Sequence, residues 1–286
     1  MISKVENVGK ESPRISLIIP VDSFDSDLTA RCIQNLRSND RSDYRIVLVE
    51  SKGDDFAYGR SVNYGVRFTE DSEFIAVMDS DTFIKSRAIE NAAVYLTKNP
   101  AVGLCGAWIS RPKTDEIDHV GFTHLNSTTR FLWNSIKRRA PFYAIRRILR
   151  GNNWSYGVLG VPRYVPGKMV GVSSAFCAMR RECYEQVGPW DESYRSSFVD
   201  VDYSFRVMLS ERWFVSSAPN VRVMHYGQIT KKRYGHGDFE GLDAYLKKWP
   251  RHRIEEVLDA AARGKFLIPS TTSLAGNETE HEEAFV

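Results

Sequence analysis

Two aspartates separated by one residue, Asp79 and Asp81, directly follow the apolar run at residues 74–78. An uncharged apolar run of this length predicts a buried strand, and ligands of open α/β sheets bind beyond the carboxyl ends of the strands. Mg²⁺ and Mn²⁺ prefer carboxylate oxygens and often complete their coordination with the phosphate oxygens of a substrate. The pair therefore predicts a divalent-cation site, and the alternative is two surface aspartates that open a turn.

The segments around this pair alternate between strand-like and helical patterns. Apolar runs at residues 15–20 and 45–50 predict strands, and helical patterns cover residues 27–36, 58–69 and 86–98. Strands that alternate with helices are typical of a parallel sheet with both faces covered. The sequence therefore predicts an α/β fold in which the two aspartates lie at the carboxyl edge of the sheet.

Polar residues stand near the ends of the other predicted elements in the first half of the chain. The first strand ends in Pro20 and a polar loop with Asp22, and the second strand ends in Glu50. The helix that follows carries Arg60 and an Asn-x-Gly sequence that begins at Asn63. Together with the Asp-x-Asp pair, these motifs resemble the family 2 glycosyltransferases, and the resemblance spans residues 15 to 226.

The second half of the chain carries further matches to that family. Residues 171–181 resemble its strand of small residues beneath the acceptor, and residues 188–192 are similar to its Gly-x-Phe-Asp-Glu turn. Residues 198–206 resemble its Glu-Asp-x-Asp-x-x-x-Arg helix start, with Val199 where the family commonly has Glu. His225 falls where many relatives place a histidine beside the metal and the diphosphate.

The resemblance implies a fold, a reaction and a set of site residues. The fold would be α/β of the GT-A type, a single domain with a Rossmann-like mixed, mainly parallel sheet flanked by helices and a C-terminal helical extension. The reaction would be inverting transfer of a sugar, as in hexosyltransferases, from a nucleoside-diphosphate sugar such as a UDP- or dTDP-sugar to an acceptor hydroxyl. Mn²⁺ or Mg²⁺ would bind the diphosphate, and Asp200 would be the general base. The expected metal ligands are Asp79, Asp81 and His225, and the expected nucleotide contacts are Pro20, Asp22, Glu50, Arg60, Asn63 and Asp79.

Two other functions share some of these motifs. A sugar nucleotidylyltransferase has a similar sheet and paired aspartates, but residues 21–25 are not a Gly-rich loop with Arg or Lys for phosphate. A catalytically inactive nucleotide- or carbohydrate-binding module is suggested by Val199 at the position of the usual acid. The product that is released from the nucleotide-sugar distinguishes the three functions.

Length and composition agree with one enzyme domain. The chain has 286 residues, of which 42% are hydrophobic, which is enough for a sizeable core. No apolar stretch approaches the ~20 residues that cross a bilayer, and residues 1–13 lack the apolar segment of a signal peptide. The four cysteines show no paired metal-ligand spacing and indicate reduced thiols. We therefore expect a cytoplasmic protein.

The net charge of +3 conceals a strong asymmetry. Residues 119–181 contain no Asp or Glu but eleven Lys and Arg residues, so the rest of the chain carries −8. Such a block attracts anions and indicates a basic insertion at about residues 126–168. The insertion is interpreted in four ways: contact with the inner membrane surface and a lipid-linked acceptor, binding of modified nucleic acid, recognition of a polypeptide or glycan acceptor, or a solvated face and loop over the nucleotide-sugar.

The boundaries follow from these patterns. We expect an N-terminal tail at residues 1–13, a catalytic domain at residues 14–230, a loop and helices at residues 231–268, and a disordered polar tail at residues 269–286. The helices at residues 231–268 would pack on the catalytic domain or on another subunit of a homo-oligomer. The catalytic domain divides into a nucleotide-binding half at residues 14–110 and an acceptor half at residues 111–230.

Overall fold

A computed structural model describes residues 1–8, 13–52, 56–110, 112, 116–125, 157–160, 167–227 and 241–267. The strands are β1 (Ile2–Val8), β2 (Ile15–Val21), β3 (Tyr44–Glu50), β4 (Phe74–Met78), β5 (Thr82–Ile84), β6 (Val102–Ser110), β7 (Ile117–His119), β8 (Phe122–Leu125), β9 (Gly157–Gly160), β10 (Met169–Gly171), β11 (Phe176–Arg180), β12 (Phe214–His225) and β13 (Phe266–Leu267). The helices are α1 (Asp27–Asn39), α2 (Tyr58–Val66), α3 (Ala88–Lys98), α4 (Arg181–Val187), α5 (Val199–Leu209), α6 (Leu242–Lys248) and α7 (Arg251–Ala262).

The main sheet has ten strands, eight of them in the order β1-β3-β2-β4-β11-β6-β12-β13. Strands β3, β2 and β4 are parallel, β11 is antiparallel to both β4 and β6, and β12 runs parallel to β6 and β13. Strand β5 pairs with the end of β12, and β7 pairs with β6. A second sheet contains β10, β8 and β9. The predicted mainly parallel sheet with flanking helices is therefore confirmed.

The central strands are buried on both faces, which explains their continuous apolar sequences. In β2, Ile18 packs in the core under α2, α5 and α7, whereas Leu17 and Ile19 pack in the opposite core under α1 and α3. With both faces covered, the open carboxyl edge of the parallel strands is where polar side chains can gather.

The predicted N-terminal tail is wrong for residues 2–8. These residues form β1, which pairs antiparallel with β3 from Ile2 opposite Glu50 to Val8 opposite Tyr44. Both Ile2 and Val5 are exposed, so the strand is held by main-chain hydrogen bonds at the sheet edge and buries little apolar surface. A hydrophobicity pattern registers burial, and it therefore gave no signal for this strand.

Two helices, α6 and α7, lie within the predicted C-terminal extension. The helical conformation is interrupted between them at Trp249 and Pro250. None of the helices in the described part of the chain is long and apolar enough to span a bilayer. Most of the predicted basic insertion, the loop at residues 231–237 and the tail at residues 269–286 lie outside the described residues.

Candidate active site

Three side chains with metal-binding atoms meet at the carboxyl edge of the sheet. Asp79 directly follows β4, Asp81 directly precedes β5, and His225 is the last residue of β12. Strand β5 pairs with β12 so that Thr82 lies opposite His225, which brings the imidazole to the carboxylates. Nε2 of His225 lies 3.1 Å from Oδ1 of Asp81 and 3.5 Å from Oδ2 of Asp79.

The donor atoms of this cluster fit a divalent cation. One ligand atom from each of the three residues lies within 4.8 Å of the other two, so one ion can contact all of them. Carboxylate oxygens suit Mg²⁺ and Mn²⁺, and imidazole is a common ligand of transition metals, so the set as a whole suits Mn²⁺. The structure therefore brings together the three residues that the sequence predicts as metal ligands.

The members of the cluster change one another's protonation. Burial raises the pKa of Asp79 well above its usual value, and the charges of Asp81 and Asp200 raise it further against the opposing charge of His225. Burial lowers the pKa of His225, but the hydrogen bond to Asp81 and the charge of Asp79 outweigh burial, so this pKa is raised overall. A cation at this position would stabilise the carboxylates in their charged form and the imidazole in its neutral form.

Tyr58 and Ser174 connect the cluster to the helix that carries Asp200. The Tyr58 hydroxyl donates to the main-chain oxygen of Ser174 at 3.2 Å and also hydrogen-bonds with the Asp79 side chain. The main-chain N–H of Asp79 donates to the carbonyl of Ala175. The turn between β10 and β11 therefore lies against the end of β4.

Asp200 is the second residue of α5 and faces this turn. Its Oδ2 accepts hydrogen bonds from the main-chain N–H of Ser174 at 3.1 Å and from the Ser174 hydroxyl at 3.4 Å. Its Oδ1 accepts from the main-chain N–H of Val201 at 2.9 Å. The turn that donates to Asp200 through Ser174 also accepts the main-chain N–H of Asp79 through Ala175, so Asp200 lies at the same sheet edge as the cluster. The donors from Ser174 and Val201 fix the orientation of its carboxylate.

Asp202, two residues later, has a different environment. Its side chain is fully buried, and its carboxylate accepts from Arg206 Nε at 3.0 Å and from Trp249 Nε1 at 2.8 Å. Lys248 Nζ lies 2.8 Å from the same carboxylate. Asp202 therefore joins α5 to the C-terminal helices, whereas the half-buried Asp200 stands at the open edge.

The residues predicted to contact the nucleotide on β2 and β3 lie at neighbouring strand ends. Glu50 ends β3, and its carboxylate accepts from the main-chain N–H of Phe24 at 2.9 Å and pairs with Lys52. The hydrogen bond from Phe24, followed by that from Lys52, lowers the pKa of Glu50. Pro20 is buried in β2, and Asp22 is half-buried just after that strand. An ionised Glu50 at this place can accept hydrogen bonds from a nucleobase or a ribose.

The predicted nucleotide contact of Asn63 needs a correction. Its amide oxygen accepts from the main-chain N–H of Trp190 and from the Tyr184 hydroxyl, and its amide nitrogen donates to the Trp190 carbonyl and to Glu192. An Asn side chain has two donors and two acceptor positions, so none is left for a nucleotide. Arg60, on the same helix, has a half-exposed side chain whose Nε lies 3.5 Å from Glu192.

The glycine of the Asn-x-Gly sequence has a structural reason as well. A Cβ at Gly65 would lie 2.6 Å from Cγ2 of Ile18 and 3.2 Å from Cγ2 of Val49. The glycine therefore lets α2 pack closely on β2 and β3. Sequence reasoning missed Tyr58, whose only signal is a polar aromatic residue at the start of the helix with Arg60. It also gave no separate role to Ser174 within residues 171–181.

Residues 6–188, more than half of the chain, match the sequence profile of glycosyl transferase family 2. The chain belongs to this family. The resemblance inferred from the motifs is therefore confirmed, and the chain carries the DXD motif of such glycosyltransferases at Asp79 and Asp81. A search of curated proteins finds no significantly similar sequence.

Three solved glycosyltransferase structures are similar to this chain at low sequence identity. A mannosyltransferase from Pyrobaculum calidifontis in complex with GDP-Man and Mn²⁺ is 15% identical, with a TM-score of 0.46, over 96% of this chain and 82% of that chain. GalNAc-T7 with UDP, GalNAc and Mn²⁺ is 9% identical, with a TM-score of 0.52, over 82% of this chain and 48% of that chain. The catalytic domain of Drosophila beta1,4galactosyltransferase 7 with xylobiose is 13% identical, with a TM-score of 0.41, over 75% of this chain and 68% of that chain. The family match and the similarity to GalNAc-T7 show that this family 2 glycosyltransferase has the GT-A fold.

Proposed function

We propose that this chain is a metal-dependent, inverting glycosyltransferase of the hexosyltransferase class, with a UDP- or dTDP-sugar as donor. The observation that carries the proposal is that a candidate metal site and a separate carboxylate lie side by side at one sheet edge. Asp79 and Asp81 lie with His225 in a cluster that fits a cation, and Asp200 is held beside that cluster by Ser174.

Each group has a role in the proposed reaction. Asp79, Asp81 and His225 hold Mn²⁺ or Mg²⁺, which when bound supplies positive charge to the leaving diphosphate. Glu50 accepts hydrogen bonds from the nucleoside, while Pro20 and Asp22 lie at the neighbouring strand end. Arg60, with its half-exposed guanidinium, contacts the diphosphate or the base.

Asp200 acts on the acceptor. The acceptor oxygen forms a bond to the anomeric carbon as the bond from that carbon to the diphosphate oxygen breaks, and the proton of the acceptor hydroxyl passes to Asp200. A positioned carboxylate contributes about 10²–10⁴-fold to such a proton transfer. Val199, which stands where the family commonly has an acid, is buried in the apolar core. The position of the Asp200 carboxylate therefore does not depend on an acid at residue 199.

The acceptor and the location in the cell belong to the same proposal. The acceptor hydroxyl is on a glycan, a lipid-linked sugar, a polypeptide or a modified nucleic acid, and the basic insertion is the segment that would recognise it. We place the enzyme in the cytoplasm, with peripheral contact at the inner membrane surface if the acceptor is lipid-linked. A homo-oligomer would use the C-terminal helices.

The released nucleotide tests the reaction class. The protein is incubated with UDP-, dTDP- and GDP-hexoses and Mn²⁺, and nucleoside diphosphate and pyrophosphate are measured separately. We expect UDP or dTDP, released slowly to water or faster to an acceptor. Pyrophosphate would instead indicate a nucleotidylyltransferase. Donor binding is followed in parallel by thermal unfolding, because a ligand at 100 times its dissociation constant stabilises a protein by about 2.7 kcal/mol, and binding without product would indicate an inactive module.

A further inference from the structure

The main chain just before Asp200 has an unfavourable conformation. Phe198, the N-cap residue directly before α5, has φ 71° and ψ −5°, in the left-handed region that favours glycine. Only one other non-glycine residue in the described part of the chain, Arg87, has a positive φ. Phe198 provides no side-chain cap for the helix, although its carbonyl accepts the first helical hydrogen bond from Asp202. A strained backbone of this kind persists only where the surroundings hold it, and such residues concentrate at functional sites.

The group that holds Phe198 comes from the C-terminal helix α6. The fully buried ring of Tyr245 stacks on the Phe198 ring, with ring centroids 4.8 Å apart and an angle of 21° between the planes. Gly241, which precedes α6 with φ 90°, has so little room that an added Cβ would lie 3.3 Å from the carbonyl oxygen of Ser197. Helix α6 therefore starts in close contact with the segment that leads into Asp200.

The same helix also holds α5 on the other side of Asp200. Trp249, the C-cap residue of α6 four residues after Tyr245, donates its indole N–H to Asp202. The Trp249 ring also packs edge-on against Phe205, with centroids 5.0 Å apart. Contacts from α6 and its C-cap residue thus lie two residues before and two residues after Asp200 in the chain, at Phe198 and at Asp202.

We propose that Tyr245 is a positioning residue for Asp200. Its stack on Phe198 fixes the main chain at the start of α5, where the Asp200 side chain is attached. Trp249 fixes the rotation of the helix through Asp202. Without the stack, the left-handed conformation at Phe198 loses its side-chain contact with α6. The first turn of α5 can then relax and move the carboxylate away from Ser174. The proposal rests on the proposed role of Asp200 as general base.

The test is the variant Tyr245→Leu, which removes the ring, compared with Tyr245→Phe, which keeps it. The measured quantities are the release of UDP or dTDP from the nucleotide-sugar that is turned over fastest with Mn²⁺, and the affinity for that donor by calorimetry. We expect turnover of Tyr245→Leu to fall by roughly 10–10²-fold, the effect of about 1 Å of misplacement, with donor affinity within about twofold of wild type. Tyr245→Phe should keep wild-type turnover.

A double-mutant cycle separates positioning from general stability. In an Asp200→Asn background, Tyr245→Leu should have no further effect on the residual turnover, because the group that it positions is already absent. Val257→Ala, a cavity at a fully buried position of α7, is the matched control, and it should lower the melting temperature while turnover stays near that of wild type. If Tyr245→Leu does not fold, Phe198→Leu removes the same stack from a half-buried position and should give the same pattern.

The outcomes are distinguishable. An unchanged turnover in Tyr245→Leu, an equal loss in both backgrounds, or a parallel loss of donor affinity would each overturn the positioning role. A wild-type turnover in Asp200→Asn would instead overturn the assignment of the base, whatever the result at Tyr245.

Discussion

Asp79 and Asp81 share one cluster but differ in exposure, since 25% of the Asp79 side chain and 7% of the Asp81 side chain are accessible to solvent. We expect Asp81→Ala to abolish Mn²⁺-dependent binding of the nucleotide-sugar and to leave the fold intact, because the change removes a ligand and also a repulsive charge next to Asp79. Calorimetric titration with UDP- and dTDP-sugars in the presence of Mn²⁺ measures the effect. Asp259→Ala, at an exposed position of α7, is the control, and unchanged metal-dependent affinity in Asp81→Ala would contradict the assignment.

Protonation of the cluster predicts how metal binding depends on pH. The pKa values of Asp79 and His225 are both raised, so the metal-free protein keeps protons on these groups to a higher pH than the free side chains would. A cation has to displace these protons, and Mn²⁺ affinity should therefore rise with pH through the raised pKa values. Titrations at about pH 6 and about pH 8, which bracket the ordinary His value of ~6.5, check the sign. In buffers of different ionisation enthalpy, proton release should accompany binding, and binding without proton release would contradict the prediction.

The two aspartates of α5 should respond differently to the same substitution. Asp200→Asn keeps the size of the side chain but cannot accept the proton, so turnover should fall by about 10²–10⁴-fold while donor affinity persists. Asp202→Asn removes the buried charge that faces Arg206 and Lys248. Because both cations are partly exposed and keep other partners, we expect a loss of stability below the about 3–5 kcal/mol of a fully buried ion pair. Turnover assays and denaturant unfolding of both variants measure the difference. If Asp202→Asn lost turnover at normal stability and Asp200→Asn stayed active, the base would be Asp202.

At the scale of elements, the packing of α2 is the feature that links the nucleotide side to the rest of the site. Helix α2 carries Tyr58 and Arg60, and it packs on the sheet through Gly65. We expect Gly65→Ala to destabilise the protein by about 1–3 kcal/mol through overpacking against Ile18, an effect larger than the gain of about 1 kcal/mol in helix propensity. Denaturant unfolding measures the change, with Val94→Ala at an exposed position of α3 as the control. A stability equal to or above that of wild type would show that α2 can shift without cost.

Which elements the sequence reveals depends on the kind of interaction that forms them. Strands β2, β3 and β4 are buried on both faces, so their apolar runs predict both the strands and the place of Asp79 at the sheet edge. Strand β1 is held by main-chain hydrogen bonds at an exposed edge, and composition does not record such bonds. The family resemblance predicts that the Asn63 amide contacts the nucleotide. In the fold, Trp190, which is 127 positions away in the sequence, hydrogen-bonds with that amide instead.

The contacts around Asp200 could not be predicted for the same reason. Ser174 reaches Asp200 because β11 inserts antiparallel between β4 and β6, and Tyr245 reaches Phe198 from the C-terminal helices. Both contacts depend on tertiary arrangement and have no local spacing. The motif order was sufficient to assign the family and the fold. It also grouped Asp79, Asp81 and His225, because the two aspartates closely follow β4 and His225 ends β12.

At the scale of the whole molecule, charge is divided between the acidic catalytic framework and the basic segment at residues 119–181. If that segment attracts an anionic acceptor, changing four of its arginines to Glu should weaken binding to anionic vesicles or to an oligonucleotide and flatten the dependence of binding on salt. The arginines are Arg138, Arg139, Arg146 and Arg147. Release of UDP or dTDP to water should be preserved, because the metal and base residues are unchanged.

The control is a variant with the same change in net charge at exposed positions elsewhere, with Glu at Lys4, Arg41, Lys98 and Lys247. Vesicles of anionic and of neutral lipid, and a single-stranded oligonucleotide, are tested at two salt concentrations. If the arginine variant loses binding and the control keeps it, the local field of the segment recruits the acceptor. Equal losses would assign the effect to net charge, and no binding by the wild-type protein would leave the segment as a solvated face near the nucleotide-sugar. The two salt concentrations show whether binding is electrostatic. Contacts between exposed charges weaken as the Debye length falls from about 30 Å at 0.01 M salt to about 8 Å at 0.15 M, so binding that depends on the arginines should weaken with salt.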